Sequence, residues 1–290
     1  MAQLKKGDAH GLAYVQVALV GTNGYAYGQV GSSLAQAADS GAYLISEPKS
    51  ATMPTPDRNT INFTGGDIWL GAYQYGIDAV GSFDMTVSGF DADLIALVTG
   101  SAVDQTWNQQ WTLFSENELA NELPQVCMIF SYRLQARGPS DGAALWINTI
   151  IPRAWCGPRG LTGAPSFQSA GEYSFTVTPT SSTVIPNGSL LSATSLALER
   201  NKGFRVHVIA DKPLGLHTFI ADGSATTFTL DYLPTDDTVT LSNAGNLMAI
   251  DGTLTAASSV NTSSGLVTLS AAGSADDIVT MLYETNFVAS

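Results

Sequence analysis

Histidine is scarce in this sequence, and that limits the chemistry it can offer. There are three: His10, His207 and His217. His207 and His217 flank a candidate domain junction. They read either as a shared metal site or as ordinary histidines beside a boundary. Asp91 and Asp93 have the spacing of a carboxylate pair for acid–base or metal work. They also have the spacing of a helix cap followed by a dipole-favoured acid, which accounts for both. Asp236-Asp237 and Asp276-Asp277 lack the further spaced oxygen ligands of a Ca²⁺ loop and read as solvated turn acids. Trp69, Trp107, Trp111, Trp146 and Trp155 read either as a stacking platform for sugars or bases or as packing in strands and interfaces. Arg133, Arg137, Arg153 and Arg159 gather around one predicted hairpin, as a basic patch or as interface ion pairs. The sequence contains no Gly-x-Ser-x-Gly, P-loop, Gly-x-Gly-x-x-Gly, Cys-x-x-Cys or His-Glu-x-x-His pattern. No enzyme activity, cofactor or metal is expected. The Asn-x-Ser/Thr sites at Asn62, Asn187 and Asn261 are expected by chance in so Ser/Thr-rich a chain.

Composition points the same way. The chain has 290 residues, a hydrophobic fraction of 44%, a charged fraction of 13% and a formal charge of −13. That apolar content supports a packed core, while the acidic balance argues against gripping nucleic acid along the outer surface. Two cysteines, Cys127 and Cys156, make no disulfide scaffold and read as free thiols. No Asp, Glu, Lys or Arg occurs between Asp8 and Asp39. Gly21, Gly24, Gly28 and Gly31 break that run as a membrane span. Asp8, His10, Gly11 and Gln16 spoil it as a secretory signal. A strand through Tyr14, Val15, Val17, Leu19 and Val20 is the better reading, in a protein kept inside the cell or released by lysis.

The elements that must position any site are mostly strands. Phe83, Met85 and Val87 oppose Asp84, Thr86 and Ser88. Tyr173, Phe175 and Val177 oppose Ser174, Thr176 and Thr178. Val126, Met128, Phe130, Tyr132 and Leu134 share one side of a strand over 126–135. A Gly-Pro-Ser-Asp-Gly turn at 138–142 joins it to a strand over 144–151, and a further strand is expected over 107–114. One short helix is capped by Asp91, carries Leu94, Ile95, Leu97 and Val98, and stops at Gly100. Residues 115–123 read as a second short helix or a charged loop. The Pro-rich stretch 47–60 and the Gly/Pro-rich stretch 157–170 read as long loops.

A domain boundary is expected at Lys212-Pro213-Leu214-Gly215. Residues 1–213 hold 17 acids and all 12 bases, for −5; residues 214–290 hold 8 acids and no base, for −8. Short alternating runs at 226–232, 238–241, 266–269 and 278–283 suggest a small Ig-like or fibre-like β-sandwich after the boundary.

The run Phe63-Thr64-Gly65-Gly66-Asp67, the strand 82–90 and the helix unit 91–101 resemble the major tail tube proteins of long-tailed bacteriophages. The resemblance covers about residues 10–205. Residues 219–230, Phe-Ile-Ala-Asp-Gly-Ser-Ala-Thr-Thr-Phe-Thr-Leu, are similar to small β domains appended to phage tail and fibre proteins. The resemblance implies a tail-tube-like β-sandwich or barrel with one flanking helix. It also implies a virion tail protein, assembled in the host bacterial cytoplasm, whose rings (usually sixfold) stack into a tube. Implied partners are further copies of the chain, other tail proteins at the tube ends and double-stranded DNA passing non-specifically; host-surface glycans are a candidate ligand of the C-terminal part, and no membrane insertion is implied. Asp84, Thr86, Ser88, Ser174, Thr176 and Thr178 are candidate lumen-facing residues, with solvent or a neighbouring subunit as the other options for those faces. Glu47, Pro48, Lys49, Pro54, Pro56, Asp57 and Arg58 form a candidate inter-subunit loop. The acidic C-terminal part would hang outside the tube, and its deletion would leave assembly intact. The alternative is a carbohydrate-binding or adhesive β module using Trp107, Trp111 or residues 214–290.

Overall fold

The computed structural model describes residues 8–20, 39–46, 48–51, 59–65, 68–75, 81–89, 91–99, 102–108, 111–115, 124–135, 145–162, 172–180, 206–236, 247–250 and 253–289. The chain opens with β1 (Asp8–Leu19), β2 (Asp39–Gly41), β3 (Tyr43–Ile45) and β4 (Pro48–Ala51). It continues with β5 (Asn59–Gly65), β6 (Ile68–Tyr75), β7 (Phe83–Ser88) and α1 (Ala92–Thr99). Then come β8 (Ala102–Asn108), β9 (Trp111–Ser115), β10 (Gln125–Gln135), β11 (Leu145–Thr162), β12 (Glu172–Pro179) and β13 (Val206–Ala210). The C-terminal strands are β14 (Leu214–Asp222), β15 (Thr227–Thr229), β16 (Tyr232–Pro234), β17 (Leu247–Ile250), β18 (Thr253–Thr255), β19 (Ala257–Val260), β20 (Leu266–Leu269) and β21 (Ala275–Ala289). The protein is mainly β, with one helix among the described residues, as the alternation of apolar and polar residues predicts.

One large antiparallel sheet runs in the order β3-β1-β10-β11-β12-β7-β4, with β13 beside the first half of β11. Its inner face is continuous. Val15 and Val17, Val126, Met128 and Phe130, Ile151, Ala154 and Cys156, Tyr173, Phe175 and Val177, and Phe83, Met85 and Val87 form one buried cluster. α1 closes it with Leu94, Ile95, Leu97 and Val98. The helix starts where Asp91 Oδ1 accepts the backbone N–H of Asp93 at 3.1 Å and of Leu94 at 3.2 Å, satisfying donors that a helix leaves open. The other Asp91 oxygen accepts the Tyr43 phenol, tying the cap to β3.

The outer face of this sheet is divided. Under β1, β10 and the start of β11 it is apolar: Ala18, Cys127, Ile129 and Ile150 pack on Ala42, on Leu216 of β14 and on Leu282 of β21. Those last two strands belong to a second sheet, β18-β17-β21-β14-β2, with β16 also paired to β21. Its far side meets the β15-β20-β19 sheet across Phe219, Phe228, Leu230, Val267, Val279, Met281 and Tyr283. The layers therefore run helix, large sheet, second sheet, third sheet.

Polar side chains hold the seam between the first two sheets. Gln16 is 1% exposed; its amide donates to the Leu214 carbonyl and accepts the Leu216 N–H at 3.1 Å. Asn148, fully buried, accepts the Leu214 N–H at 3.1 Å and the Ser131 hydroxyl at 2.7 Å, and donates to the Lys212 carbonyl at 3.3 Å. β2 crosses from the N-terminal half to pair with β14, with His217 opposite Gly41. Gly41 is required there: its N–H donates to Asp231 Oδ2 at 2.8 Å, and an added Cβ would lie 2.4 Å from that oxygen.

Several local expectations are corrected. At the boundary expected at Lys212-Pro213-Leu214-Gly215, Leu214 opens a strand buried on both faces. Within 47–60, residues 48–51 are an edge strand on β7 and 59–60 begin β5. Residues 157–162 extend β11 along β12 rather than looping, with a bulge between Pro158 and Gly160. The single strand expected over 107–114 is two strands, β8 and β9, with Asn108 opposite Trp111. The helix or loop over 115–123, the turn at 138–142, the strand at 238–241 and the residues 163–170 fall largely or wholly outside the described residues.

Candidate functional site

The polar faces of β7 and β12 lie side by side on the half of the large sheet away from β14 and β21, with Asp84 exposed, Thr86, Ser88, Thr176 and Thr178 partly exposed and Ser174 buried. Antiparallel register sets Thr86 opposite Ser174 and Asp84 opposite Thr176, and carries Ser88 opposite Glu172. Facing residues share a side of the sheet, so the apolar partners of both strands point inward and these point outward. All six candidate lumen-facing residues, Asp84, Thr86, Ser88, Ser174, Thr176 and Thr178, are thus brought to one face.

They bond mainly to one another. Thr86 Oγ1 and Ser174 Oγ are 2.9 Å apart, and Ser82 Oγ and Thr178 Oγ1 are 2.8 Å apart. Thr176 Oγ1 donates to Asp84 Oδ1 at 3.1 Å. Lys49 on β4 reaches Glu172 at 2.7 Å, across the edge of the ladder. Two members of the candidate inter-subunit loop, Pro48 and Lys49, therefore sit in an edge strand, where a proline and a lysine both discourage pairing with another chain. Glu47, Pro54, Pro56, Asp57 and Arg58 lie outside the described residues.

β11 borders this face with little side chain. Gly157 stands opposite Thr176 and Gly160 opposite Ser174, and a Cβ added at Gly157 would meet nothing within 4 Å. Trp155, opposite Thr178 and Gln125, is 42% exposed. Ser82, Glu172 and Trp155 complete the face although the strand patterns did not single them out for it. Their signal was alternation: each has the parity of the polar residues beside it.

Compared with models of known families and with curated protein sequences, the chain has no match. Its chemistry must be read from its own residues.

The residues weighed for catalysis or metal binding are placed separately. His207 is exposed on β13, with Nδ1 2.9 Å from Thr149 Oγ1. His217 is 1% exposed on β14, stacked on Phe228 with ring centroids 5.7 Å apart, and its Nδ1 is 3.8 Å from Asp231 Oδ1. Among the described residues no three His, Cys, Asp or Glu side chains gather as a metal site. Asp277 Oδ2 accepts the Ser274 N–H at 2.7 Å, a turn contact. Asp91 is the helix cap already described. Trp146 stacks on Tyr14 with centroids 5.9 Å apart, and the side chains of Trp69, Trp107 and Trp111 lie outside the described set. Cys127 and Cys156 are free and buried on opposite faces of the large sheet. Burial pushes the Cys156 thiol up to about 12 and the Cys127 thiol higher still, so neither is a ready nucleophile.

Proposed function

We propose that this chain is a structural subunit of the tail tube of a long-tailed bacteriophage, not an enzyme. Copies form hexameric rings, and the rings stack around a channel through which double-stranded DNA passes during genome ejection. Other tail proteins bind the tube ends. In this reading the large sheet with α1 is the tail-tube-like domain, and the C-terminal sheets are the appended Ig-like or fibre-like β domain.

The observation that carries the reading is the self-bonded polar face of β7 and β12. Proteins hold DNA by offering cations and hydrogen-bond donors to phosphates, with counterion release as the gain. A conduit needs the reverse. Here Thr86 is engaged with Ser174, Ser82 with Thr178, Thr176 with Asp84 and Lys49 with Glu172. Among the described side chains the face presents Asp84 and Glu172 against Lys49, so it repels phosphate mildly. The edge residues Pro48 and Lys49 suit a strand whose neighbour must be a chosen one.

Electron microscopy of the purified protein tests this directly. Tubes or rings with a central channel are expected. A strictly monomeric protein that is absent from virion tails sinks the proposal.

A second reading, a carbohydrate-binding module, has one observation in its favour. Trp155 presents an exposed indole beside Thr178 and Gln125, an amphipathic surface on which a sugar ring could stack. Glycan-array binding that disappears in Trp155→Ala would favour it over the conduit.

A further inference from the structure

The far end of β21 departs from regular strand at one residue. Phe287 has φ +56°, a left-handed conformation that a bulky L-residue avoids because its Cβ crowds the backbone. Side-chain bonds shape the kink. The Phe287 N–H donates to Thr285 Oγ1 at 3.0 Å, and Thr285 Oγ1 donates to the Leu233 carbonyl at 2.9 Å.

The kink aims the ring across the seam. Phe287 lies 4.8 Å from Tyr14 of β1 and 5.2 Å from Tyr232 of β16, centroid to centroid. Tyr14 in turn stacks on Trp146 of β11. One end of this aromatic chain belongs to the large sheet and the other to the second sheet. Thr285 anchors the base of the segment: it is fully buried and its N–H donates to the Pro213 carbonyl at 3.0 Å. Beyond Thr285 the described contacts are few. Asn286, Val288 and Ala289 are exposed, Val288 by 55%. Pairing with β16 runs through Tyr232–Ala289 and Pro234–Thr285 with a register shift between them, and Pro234 has no N–H to contribute. Residues 279–282, by contrast, are buried and paired on both sides, with β14 and with β17. A strained conformation persists only where its surroundings over-determine it. Here the aromatic contacts do that.

We propose that residues 286–289 are a strap, anchored at Thr285, that locks the seam between the two sheets through Phe287 and opens as a unit, well below global unfolding. In the open state Phe287 relaxes to an extended φ and its ring leaves Tyr14 and Tyr232. Gln16, two residues along β1 from Tyr14, is then the next seam contact to loosen. This device stands apart from the assembly role, since it concerns contacts within one chain.

Hydrogen exchange followed by mass spectrometry on the full chain tests it. Amides of 286–289 should exchange at least ~100-fold faster than those of 279–282, as expected of a locally opening unit. Phe287→Ala should speed exchange by ~10-fold at residues 14–17 and 214–219 and leave α1 unchanged, because only the seam loses a support. Phe287→Tyr should restore the wild-type pattern. Exchange of 286–289 at the rate of 279–282 in the wild type would overturn the proposal, whether or not the alanine variant folds. So would a Phe287→Ala effect confined to 286–289, or one equally large in α1.

Discussion

At Gln16 a single amide supplies what a neighbouring strand would otherwise give: an acceptor for Leu216 N–H and a donor for the Leu214 carbonyl. Gln16→Leu keeps the volume and removes both bonds. Each buried backbone group left unpaired costs about 1–3 kcal/mol, so with two such groups the variant should lose about 2–6 kcal/mol. Urea unfolding followed by circular dichroism reads that loss as a lower midpoint; Gln125→Leu, half-exposed on the open face, should shift it little. The same residue had served, in the sequence, only to argue against a signal peptide. A polar residue interrupting an apolar run carries a second meaning, that of a buried clamp, which needs a partner some 200 positions away to become visible. The two thiols make a pH prediction. Burial raises both, Cys156 to about 12 and Cys127 beyond that, while an unfolded thiol ionises near 8.5, as a roughly unperturbed group does. A raised folded pKa means stability that is fully present below the unfolded value and is lost as pH rises. Between about pH 8.5 and 9.5, below the range where tyrosines ionise, each thiol should remove up to about 1.4 kcal/mol per pH unit. Chemical denaturation across that window should show a steep decline in the wild type. The Cys127→Ala/Cys156→Ala protein should start less stable but decline less steeply; equal slopes would show that the thiols do not govern the alkaline limb.

At the scale of elements, α1 depends on Asp91 at two points, its own first turn and the Tyr43 phenol of β3. Asp91→Ala should cost about 1–2 kcal/mol for the cap, with a further loss from the unpaired phenol. Asp91→Ser, which can cap but cannot reach Tyr43 in the same way, should recover only part of it; full recovery in thermal unfolding would mean the phenol bond contributes nothing. This helix was legible because all its signals are local: a capping acid, an apolar run and a glycine stop. β7, β10 and β12 were legible for a related reason, since alternation along each strand reports which side is buried. What alternation cannot report is which strand lies next to which. The polar faces of β7 and β12 were each visible, but their alignment into one ladder depends on a pairing between positions 86 and 174. Elements buried on both faces were missed or misread. β14 reads Leu-Gly-Leu-His-Thr-Phe-Ile, with no period, beside a Pro-Gly signal that suggests punctuation. Its glycine is there for contact: a Cβ at Gly215 would lie 2.8 Å from the Tyr283 ring. β4 and the end of β11 were misread because proline and glycine signal loops locally, while tertiary pairing with β7 and β12 overrides the signal.

At the scale of the whole molecule, the charge division at residue 213 and the packing division do not coincide. The base-free segment 214–290 supplies Leu216 and Leu282 to a core it shares with Ala18, Cys127, Ile129 and Ile150, and it receives β2 as an edge strand. Removing it would uncover Ile129, Ile150 and Val208, at roughly 1.5–3 kcal/mol per large side chain. That loss is comparable with the whole stability of an ordinary domain, about 5–15 kcal/mol. The expectation that residues 1–213 assemble alone therefore gives way to its opposite: the truncated chain should aggregate or unfold, read by sedimentation and by loss of a cooperative thermal transition. A soluble, folded 1–213 would show that the seam is dispensable. The open half of the large sheet is where function can be varied without touching that seam. Asp84 is exposed there, and its carboxylate accepts the Thr176 hydroxyl at 3.1 Å. Asp84→Lys changes the local charge by two and sets a cationic donor on that face. If that face lines a DNA channel, the variant should still form tubes but should retain duplex DNA, with binding that weakens steeply as salt rises because phosphate contacts act by counterion release. In a phage carrying it, genome release should slow. The wild-type protein should show no such retention at the same salt. Tubes of the variant that hold no more DNA than wild-type tubes would place this face away from the channel, against solvent or a neighbouring subunit.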